Sequence, residues 1–429
     1  MEKFYIEGGR PISGTVTPSG NKNEALPVLA ATLLTDEPVT LKNVPRIADI
    51  EVMIQLLASL GVDITEHDRN TITFHAKDLR GGQLDPKLCA LIRASILLAG
   101  PVLARMGEVV LAPPGGDVIG RRRLDTHFQA LSALGTTLDL GKDFILKSPA
   151  SGLKGAEIFL DEQSVTATEN AIMAAVLARG TTVLENSACE PHVQGLCRLL
   201  VSMGASIEGI GTHRLRITGV DKLHGATYRI SSDYLEVGSF LGLAAVTGGA
   251  LTINDVNVRD MRMIRLVFRK LGIEYEYTDD NTLYLPPNQN LEIRPEILGA
   301  IPQISDAPWP QFPTDLMAIA IVTATQCKGT CIFFEKMYDG RLFFVDPLVS
   351  MGAQVILCDP HRVVVVGPSK LYGTELRSPD VRAGMAMVIA ALVAEGKSEI
   401  NNIRQIDRGY EAIERKLQAL GATIERRPE

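Results

Sequence analysis

LLASLGVDI, residues 56–64, decides the fold, because its pattern recurs along the chain. An apolar helical stretch ends in Leu or Met, glycine follows, and the chain continues with alternating apolar and polar residues. The other copies are ALSALGTTL around Gly135, LLVSMGASI around Gly204, VFRKLGIEY around Gly272, LVSMGAQVI around Gly352 and LQALGATIE around Gly421. The first copy is centred on Gly61, and successive glycines stand 74, 69, 68, 80 and 69 residues apart. The sequence therefore consists of six repeats.

Each repeat is predicted to contain two helices and several strands. Glycine readily takes the left-handed conformation that ends a helix, and the alternating residues after it are typical of a strand. Upstream lie almost wholly apolar stretches, such as ALPVLAATLL (25–34), ENAIMAAVLA (169–178) and VRAGMAMVIAALVA (381–394). Helices that are apolar on all sides belong inside a domain. The pattern predicts an α/β protein in which three repeats surround a helical core, and six repeats make two domains.

The boundary between the two domains is expected between Gly204 and Gly272. We place it near Ile230, after HGATYRI (224–230), which we interpret as the last strand of the third repeat. Residues 231–236 are predicted to cross between the domains as a strand. A cleft between two similar halves is the default position for a ligand.

Composition excludes several classes of function. The chain has 429 residues, 46% of them hydrophobic, and a formal net charge of -7, which disfavours nucleic acid or an anionic membrane as the main partner. The six cysteines show no C-x-x-C spacing, so neither disulfides nor a metal site are expected. The N-terminus has no apolar signal core, and no apolar run approaches the roughly 20 residues needed to span a bilayer. We expect a cytoplasmic protein without membrane insertion.

Three segments carry residues suited to chemistry. Residues 19–24, SGNKNE, read as a capped helix start where Lys22 could hold a phosphate or carboxylate, or simply lie on the surface. Residues 112–123, APPGGDVIGRRR, read either as a lid with one acid and three arginines or as a solvated hairpin. Residues 307–316, APWPQFPTDL, bring Thr314 and Asp315 to a helix start, where Asp315 is either a cap or a base.

Three arginines lie at or near the edges of apolar helical stretches: Arg93, Arg382 and Arg408. A buried arginine requires an anionic partner. That partner is either a bound substrate or a structural acid, for which Asp380 and Asp407 are close in sequence.

Together these segments resemble the enolpyruvyl transferase family, and within it the branch that acts on UDP-N-acetylglucosamine. The resemblance runs essentially end to end through SGNKNEALP, IRASILLAGP, PPGGDVIGRRRLDTH, SVTATENAIMAAVLARGTTVLENSACEP, FPTDL and DRGYEAIERKLQALGATIE. It implies a two-domain inverse α/β barrel built from six βαβαββ repeats. The implied N-terminal domain is 22–230, with the lid at 111–122, and the implied C-terminal domain is 1–21 plus 231–429.

The resemblance also implies an activity: transfer of the enolpyruvyl group of phosphoenolpyruvate to the 3-hydroxyl of UDP-N-acetylglucosamine, without a cofactor. It implies Asp117 as the lid acid and Asp315 as the base. The implied phosphoenolpyruvate ligands are Lys22, Arg93, Arg122, Arg341, Arg382 and Arg408. The implied sugar-nucleotide ligands are Asn23, Asp125, Ser164 and Val165.

Several positions depart from the family pattern. Asp117 stands where most members carry the cysteine that fosfomycin alkylates, so we expect no covalent inactivation by fosfomycin. An aspartate has an ordinary pKa near 3.9, so it would need a raised pKa to donate a proton at neutral pH, whereas nearby arginines lower it. Glu162, Gln163, Arg123 and Thr126 also depart from the family pattern. They lie on the surface expected to bind the uridine, which we call the uridine wall.

These departures leave alternatives open. One is an enolpyruvyl transferase with another acceptor, either a different UDP-sugar or shikimate-3-phosphate. Another is a non-catalytic UDP-sugar-binding regulator, and the least favoured is a repeat scaffold that binds a protein. A monomer is favoured.

Overall fold

The computed structural model describes residues 2–116, 119–120 and 123–428. The chain forms two compact units. The C-terminal unit contains residues 2–19, 119–120 and 232–428, and the N-terminal unit contains residues 20–116 and 123–231. Each unit has its own hydrophobic core.

The α-helices of the described residues are α1 Lys22–Ala31, α2 Ala48–Ser59, α3 Pro86–Cys89, α4 Ala99–Met106, α5 Asp125–Ala133, α6 Val165–Ala175, α7 Pro191–Ser202, α8 Tyr234–Thr247, α9 Arg262–Lys270, α10 Met317–Ala324, α11 Val345–Ser350, α12 Val381–Val393 and α13 Ile413–Ala419. Short 3-10 helices occur at Thr32–Leu34, Arg93–Leu98, Ile297–Gly299, Thr314–Leu316 and Ile403–Arg408. No helix in the described part of the chain has both the length and the hydropathy to cross a bilayer.

The strands are β1 Glu2–Glu7, β2 Gly14–Val16, β3 Val39–Lys42, β4 Asp63–Asp68, β5 Thr71–His75, β6 Glu108–Leu111, β7 Thr137–Leu140, β8 Phe144–Lys147, β9 Glu157–Phe159, β10 Thr181–Glu185, β11 Ser206–Glu208, β12 Arg214–Thr218, β13 Ala226–Arg229, β14 Leu251–Ile253, β15 Glu276–Tyr277, β16 Leu283–Leu285, β17 Gln303–Ser305, β18 Gly329–Phe334, β19 Gln354–Asp359, β20 Arg362–Gly367, β21 Glu375–Arg377, β22 Lys397–Asn401 and β23 Thr423–Pro428.

The sheets share one topology, which is clearest in β17-β18-β20-β19. The first two strands are parallel and flank α10, and the last two form an antiparallel pair after α11. The other sheets of the described residues are ordered β13-β3-β5-β4, β6-β8-β7, β9-β10-β12-β11, β2-β14-β16-β15 and β21-β22-β1-β23. In the three-stranded sheet, a parallel bridge from Gln83 to Val110 takes the place of the first strand. The predicted inverse α/β barrel of βαβαββ repeats is confirmed.

Strands from distant parts of the sequence complete three of the sheets. In the C-terminal unit, β2 pairs with β14 and β1 lies between β22 and β23. In the N-terminal unit, β13 pairs in parallel with β3. The interpretation of residues 224–230 as the last strand of the third repeat was therefore wrong, because β13 is the first strand of the sheet of the first repeat.

The predicted crossing strand at residues 231–236 was also wrong. Helix α8 already begins at Tyr234, because the Asp233 carboxylate accepts hydrogen bonds from the backbone N–H groups of Leu235 and Glu236 at 2.9 and 3.4 Å. A side-chain oxygen in this position satisfies N–H groups that lack a partner at a helix start.

The repeated glycines end six outer helices as predicted. Gly61, Gly135, Gly204, Gly272, Gly352 and Gly421 all have φ between 81° and 107°. In each repeat, the N–H of the residue after the glycine bonds the carbonyl five residues earlier, for example Val62 N to Leu57 O at 3.2 Å. This is the Schellman arrangement, and it satisfies carbonyls that the helix itself leaves unpaired.

The inner helices of the C-terminal unit are buried on every side. Residues 234–245 of α8, 381–392 of α12 and all of α10 are buried. Because these helices have no solvent-facing stripe, their ends are where polar side chains can be accommodated. Asp315 and Arg382 lie at such ends, at the starts of α10 and α12.

Candidate active site

Acidic residues stand at the N-terminal ends of the three inner helices of the C-terminal unit. Asp233 caps α8, Asp380 caps α12, and Asp315 lies in the 3-10 turn that leads into α10. A helix N-terminus favours a carboxylate because it presents unpaired N–H groups and the positive end of the helix dipole. Burial raises the pKa of Asp233 to about 6, and the charge of Arg382 opposes that shift.

The carboxylate of Asp315 is held by two arginines. Arg341 Nη2 lies 3.1 Å from Oδ1, and Arg382 Nε lies 3.2 Å from Oδ2. The two arginine side chains are 6% and 5% exposed, whereas that of Asp315 is 23% exposed. Sequence analysis selected all three residues, and the structure brings them together. One partly exposed carboxylate therefore has its orientation fixed by two buried cations.

Both arginines stay charged despite their burial. Desolvation lowers the pKa of Arg341, but the carboxylates of Asp315 and Asp380 raise it above its ordinary value overall. The same balance raises the pKa of Arg382, where Tyr410, Asp315 and Asp233 oppose the desolvation. The guanidinium of Arg382 also lies 5.3 Å from the centre of the Tyr410 ring. A cationic environment around Asp315 is thus a fixed property of this unit.

Arg408 lies at the end of the 3-10 helix Ile403–Arg408, and its Nη1 donates to Gln405 Oε1 at 2.9 Å. Asp407, a structural partner considered for Arg408, instead binds Arg426 through both carboxylate oxygens at 2.9 and 2.7 Å. Asp380 accepts hydrogen bonds from the backbone N–H groups of Arg382 and Ala383.

In the N-terminal unit, Lys22 is the first residue of α1. Its Nζ lies 2.8 Å from Asp49 Oδ2, and the two side chains are 11% and 6% exposed. Asn21 caps the helix by accepting from Glu24 N at 3.0 Å, and Asn23 is half-buried. The predicted capped helix start with a lysine is present, and Asp49 is its anionic partner.

The Pro/Gly segment packs closely on the turn that carries Arg93. A Cβ on Gly115 would lie 1.8 Å from Ala90 O, and one on Gly116 would lie 2.9 Å from Arg93 Cβ. No side chain fits at Gly115, so glycine is required there. Arg93 Nη2 donates to the carbonyl of Arg123 at 3.1 Å.

The expected uridine wall is ordered by local polar contacts. Arg123 Nε donates to Asp125 Oδ2 at 2.8 Å, and both side chains are exposed. Thr126 donates to Asp161 Oδ1 at 2.8 Å. Ser164 caps α6, which begins at Val165.

Asp117, predicted as the lid acid, and Arg122, predicted as a phosphoenolpyruvate ligand, lie outside the described residues. Ile119 and Gly120, between them in sequence, belong to the C-terminal unit. The carbonyl of Ile119 accepts from Gly340 N at 3.0 Å, and Gly120 abuts Asp339. Gly340 directly precedes Arg341, one of the two arginines that bind Asp315.

Sequence reasoning missed Asp49, Asp233, Asp306 and Glu335. Asp233 could have been found, because SSDYLE precedes an apolar helix in the manner of a cap. Asp306 and Glu335 each directly follow a strand and are fully buried. Among the described residues, no cluster of three or more His, Cys, Asp and Glu side chains is suited to hold a metal ion.

Comparisons with known proteins place this chain in one class. The sequence model of the family EPSP synthase (3-phosphoshikimate 1-carboxyvinyltransferase) matches residues 6–417. By structure, the chain is similar to the enolpyruvyl transferase NikO from Streptomyces tendae, with a TM-score of 0.87 at 22% identity over 99% of this chain and 98% of that chain. It is also similar to EPSP synthase from Acinetobacter baumannii, with a TM-score of 0.76 at 17% identity over 100% of both chains. The chain belongs to the EPSP synthase family of enolpyruvyl transferases.

The sequence relatives are more specific. The chain is 56% identical over 427 residues to UDP-N-acetylglucosamine 1-carboxyvinyltransferase of Bradyrhizobium diazoefficiens, covering 100% of this chain and 98% of that protein. It is 53% identical over 425 residues to the protein of the same name from Treponema denticola, covering 99% of each. The predicted resemblance and the enzyme class are confirmed, whereas the roles of individual site residues stay predictions.

Proposed function

We propose that this protein transfers the enolpyruvyl group of phosphoenolpyruvate to the 3-hydroxyl of UDP-N-acetylglucosamine and releases phosphate. The observation that carries the proposal is full-length similarity to enzymes of that name, at 46–56% identity. The alternatives with another acceptor or with a purely regulatory role are not favoured. In cell physiology this is the first committed step of peptidoglycan precursor synthesis, and we place it in the cytoplasm.

The chemistry is an addition followed by an elimination. The 3-oxygen of the sugar forms a bond to C2 of phosphoenolpyruvate, the hydroxyl proton goes to a base, and C3 gains a proton from an acid. The C2–O bond to phosphate then breaks and C3 loses a proton, which leaves the enolpyruvyl ether and inorganic phosphate. No redox change occurs, so the step needs no oxidant or reductant.

Asp315 is the proposed base. Arg341 and Arg382 each bind one carboxylate oxygen of Asp315. These ion pairs support the assignment, because they fix the carboxylate while part of its surface stays exposed. A general base must be held within hydrogen-bond reach of the proton it accepts. Arg341 and Arg382 are proposed to orient Asp315 and also to complete the ring of cations that binds phosphoenolpyruvate.

The remaining assignments follow the family resemblance. Asp117 is the proposed acid for C3. Lys22, Arg93, Arg122 and Arg408 are proposed to bind phosphoenolpyruvate, since a trianionic substrate requires several cations. Asn23, Asp125, Ser164 and Val165 are proposed to bind the UDP-sugar.

The test measures phosphate release from phosphoenolpyruvate with UDP-N-acetylglucosamine, with shikimate-3-phosphate, or with no acceptor. Release that requires the UDP-sugar is expected. Asp315→Asn should lower kcat by at least about 100-fold, because a missing general base typically costs 10²–10⁴. Calorimetric binding of UDP-N-acetylglucosamine should survive in that variant. Asp346→Asn, an exposed acid of the same unit, is the matched control.

Two outcomes would contradict the proposal. Release with shikimate-3-phosphate alone would reassign the acceptor. Retained turnover in Asp315→Asn would remove Asp315 as the base while leaving the overall reaction intact.

A further inference from the structure

Two buried acids lie side by side at one end of the sheet β17-β18-β20-β19. Asp306 directly follows β17 and Glu335 directly follows β18. These strands are parallel, with Ser305 opposite Phe334, so the next residue of each strand leaves the sheet at the same edge. Both acids are 0% exposed. Because the two carboxylates are neighbours and neither reaches water, ionising both would cost a large amount of free energy.

The hydrogen bonds around the pair require one additional proton. Glu335 Oε1 accepts from Met337 N at 3.2 Å and Tyr338 N at 3.1 Å, and Thr314 Oγ1 lies 2.9 and 2.8 Å from the two oxygens of Glu335. Asp306 Oδ1 accepts from Lys336 N at 2.6 Å, but Asp306 Oδ2 is buried without a donor. A proton on Glu335 Oε2 would donate to that oxygen, while the Thr314 hydroxyl donates to Oε1.

Electrostatics agree with this arrangement. Burial and, to a smaller extent, the hydrogen bond with Asp306 raise the pKa of Glu335 to about 8, although the charge of Arg341 opposes this shift. The titratable groups around Glu335 are Asp306, Asp315, Lys336, Tyr338, Arg341 and His361, whose Nδ1 is 2.7 Å from the Glu335 carbonyl. At neutral pH the pair therefore holds one proton and one negative charge.

The pair is connected to Asp315 through Thr314. Thr314 immediately precedes Asp315, its side chain bonds Glu335, and its carbonyl accepts from Arg341 Nη1 at 3.2 Å. Arg341 also binds the Asp315 carboxylate. The segment from Glu335 to Arg341 thus makes hydrogen bonds to the hydroxyl and the carbonyl of Thr314 and to the carboxylate of Asp315.

We infer that Glu335, protonated and hydrogen-bonded to Asp306, is a positioning residue that fixes the base Asp315 through the hydroxyl of Thr314. This inference rests on the proposed function, since it concerns the residue proposed there as base. Glu335 itself is buried and does not touch substrate in this scheme. A displacement of Asp315 by about 1 Å is sufficient to cost on the order of 100-fold in rate.

The test compares variants that keep or remove the hydrogen bonds. Glu335→Gln retains an acceptor for Thr314 and a donor for Asp306, so its kcat should stay within about threefold of wild type, whereas Glu335→Ala should lose about 10- to 100-fold. Thr314→Ser should resemble wild type and Thr314→Val should resemble Glu335→Ala. KM for UDP-N-acetylglucosamine should change little in all four. The double variant Thr314→Val/Glu335→Ala should be no slower than the slower single variant, because both act through one connection.

The pH profile provides a readout that a merely structural role would not change. Wild-type kcat should decline as pH rises past about 8, falling by up to about tenfold at pH 9 relative to Glu335→Gln, which has no proton to lose. If kcat of the wild type and of Glu335→Gln changes identically above pH 8, the proposed proton between Glu335 and Asp306 is refuted. Wild-type kcat in Thr314→Val, or additive losses in the double variant, would overturn the connection to Asp315.

Failure of the proposed function is distinguishable from failure of this inference. If Asp315→Asn remains active, Asp315 is not the base, and the Glu335→Ala variant is then repeated in the Asp315→Asn background. An undiminished loss in that background would show that Glu335 acts on another group, which also overturns the inference. Loss of thermal stability in Glu335→Ala with normal kcat of the folded enzyme would reduce Glu335 to a structural residue.

Discussion

Replacing Asp315 with asparagine is expected to destabilise the C-terminal unit as well as to stop turnover. The carboxylate makes charge-assisted hydrogen bonds to Arg341 and Arg382 at 3.1 and 3.2 Å. Asparagine keeps one oxygen acceptor, but its amide N–H₂ would face the donor of the other arginine. One hydrogen bond is then lost, and both buried guanidinium groups lose the negative charge of Asp315.

The magnitude follows from the burial of these groups. Breaking a fully buried ion pair costs about 3–5 kcal/mol, and a hydrogen bond to a charged group contributes about 1.5–3 kcal/mol. Because the Asp315 side chain is 23% exposed, water can solvate part of the defect, so we expect about 2 kcal/mol. For a unit of this size that corresponds to a decrease in Tm of about 4–8 °C.

Differential scanning calorimetry at pH 7 measures this decrease. Asp346→Asn is the control, since this exposed substitution in the first turn of α11 should change stability by less than about 1 kcal/mol. Asp315→Glu retains the charge and should lie between wild type and Asp315→Asn. If the Tm of Asp315→Asn lies within about 1 °C of the control, which is roughly the experimental error, the two arginines do not depend on this carboxylate for stability.

Three further predictions concern the backbone, the lid and pH. Gly421→Ala should lower the free energy of unfolding by about 1–2 kcal/mol, because φ is 94° there, although a Cβ would meet nothing within 4 Å. Gly272→Ala should lower it more, because its Cβ would also lie 2.3 Å from Asn290 O. Urea unfolding of both variants measures the two losses. Fosfomycin should not inactivate the wild-type enzyme in a time-dependent assay, and Asp117→Cys should become sensitive; a covalent adduct on wild-type Asp117, detected by mass spectrometry, would contradict this. Because the pKa of Glu335 is raised, the folded state keeps this proton to a higher pH than the unfolded state does. Stability is therefore lost as pH rises from the ordinary pKa of 4.5 to about 8. Glu335→Gln should show a shallower decrease in Tm between pH 5 and pH 9.

The elements predicted from sequence are those whose signal is local. The left-handed glycine at Gly204 follows an amphipathic helix directly, so helix end and turn are encoded within a few residues. The apolar stretch 381–394 has no polar side and could only be an inner helix. The errors came from non-local pairing: β13 reads as an ordinary strand, and only tertiary structure reveals that its partner is β3.

The same distinction holds for the site. Asp315 and Arg382 were selected from their own segments, and Arg341 only through the family resemblance. The contact between Asp315 and Arg382 spans 67 residues, and no local pattern encodes it. Glu335 was missed because a single acid after an apolar strand has no periodic signal. Its significance depends on Asp306, which becomes its neighbour only when β17 and β18 pair.

The position of β1 between β22 and β23 has a consequence for how the protein is made. Strand β1 is synthesised long before its two partners, so both of its hydrogen-bonding edges are vacant until residues 397–428 have been synthesised. During translation the N-terminal unit, whose segments lie between 20 and 231, can complete its sheets first, whereas the emerging strand β1 must wait. Pairing over nearly the whole chain length is slow, and a vacant edge attracts other chains in the interval. We therefore expect a charged fusion segment placed before β1 to affect folding yield more than one placed in the loop between β11 and β12.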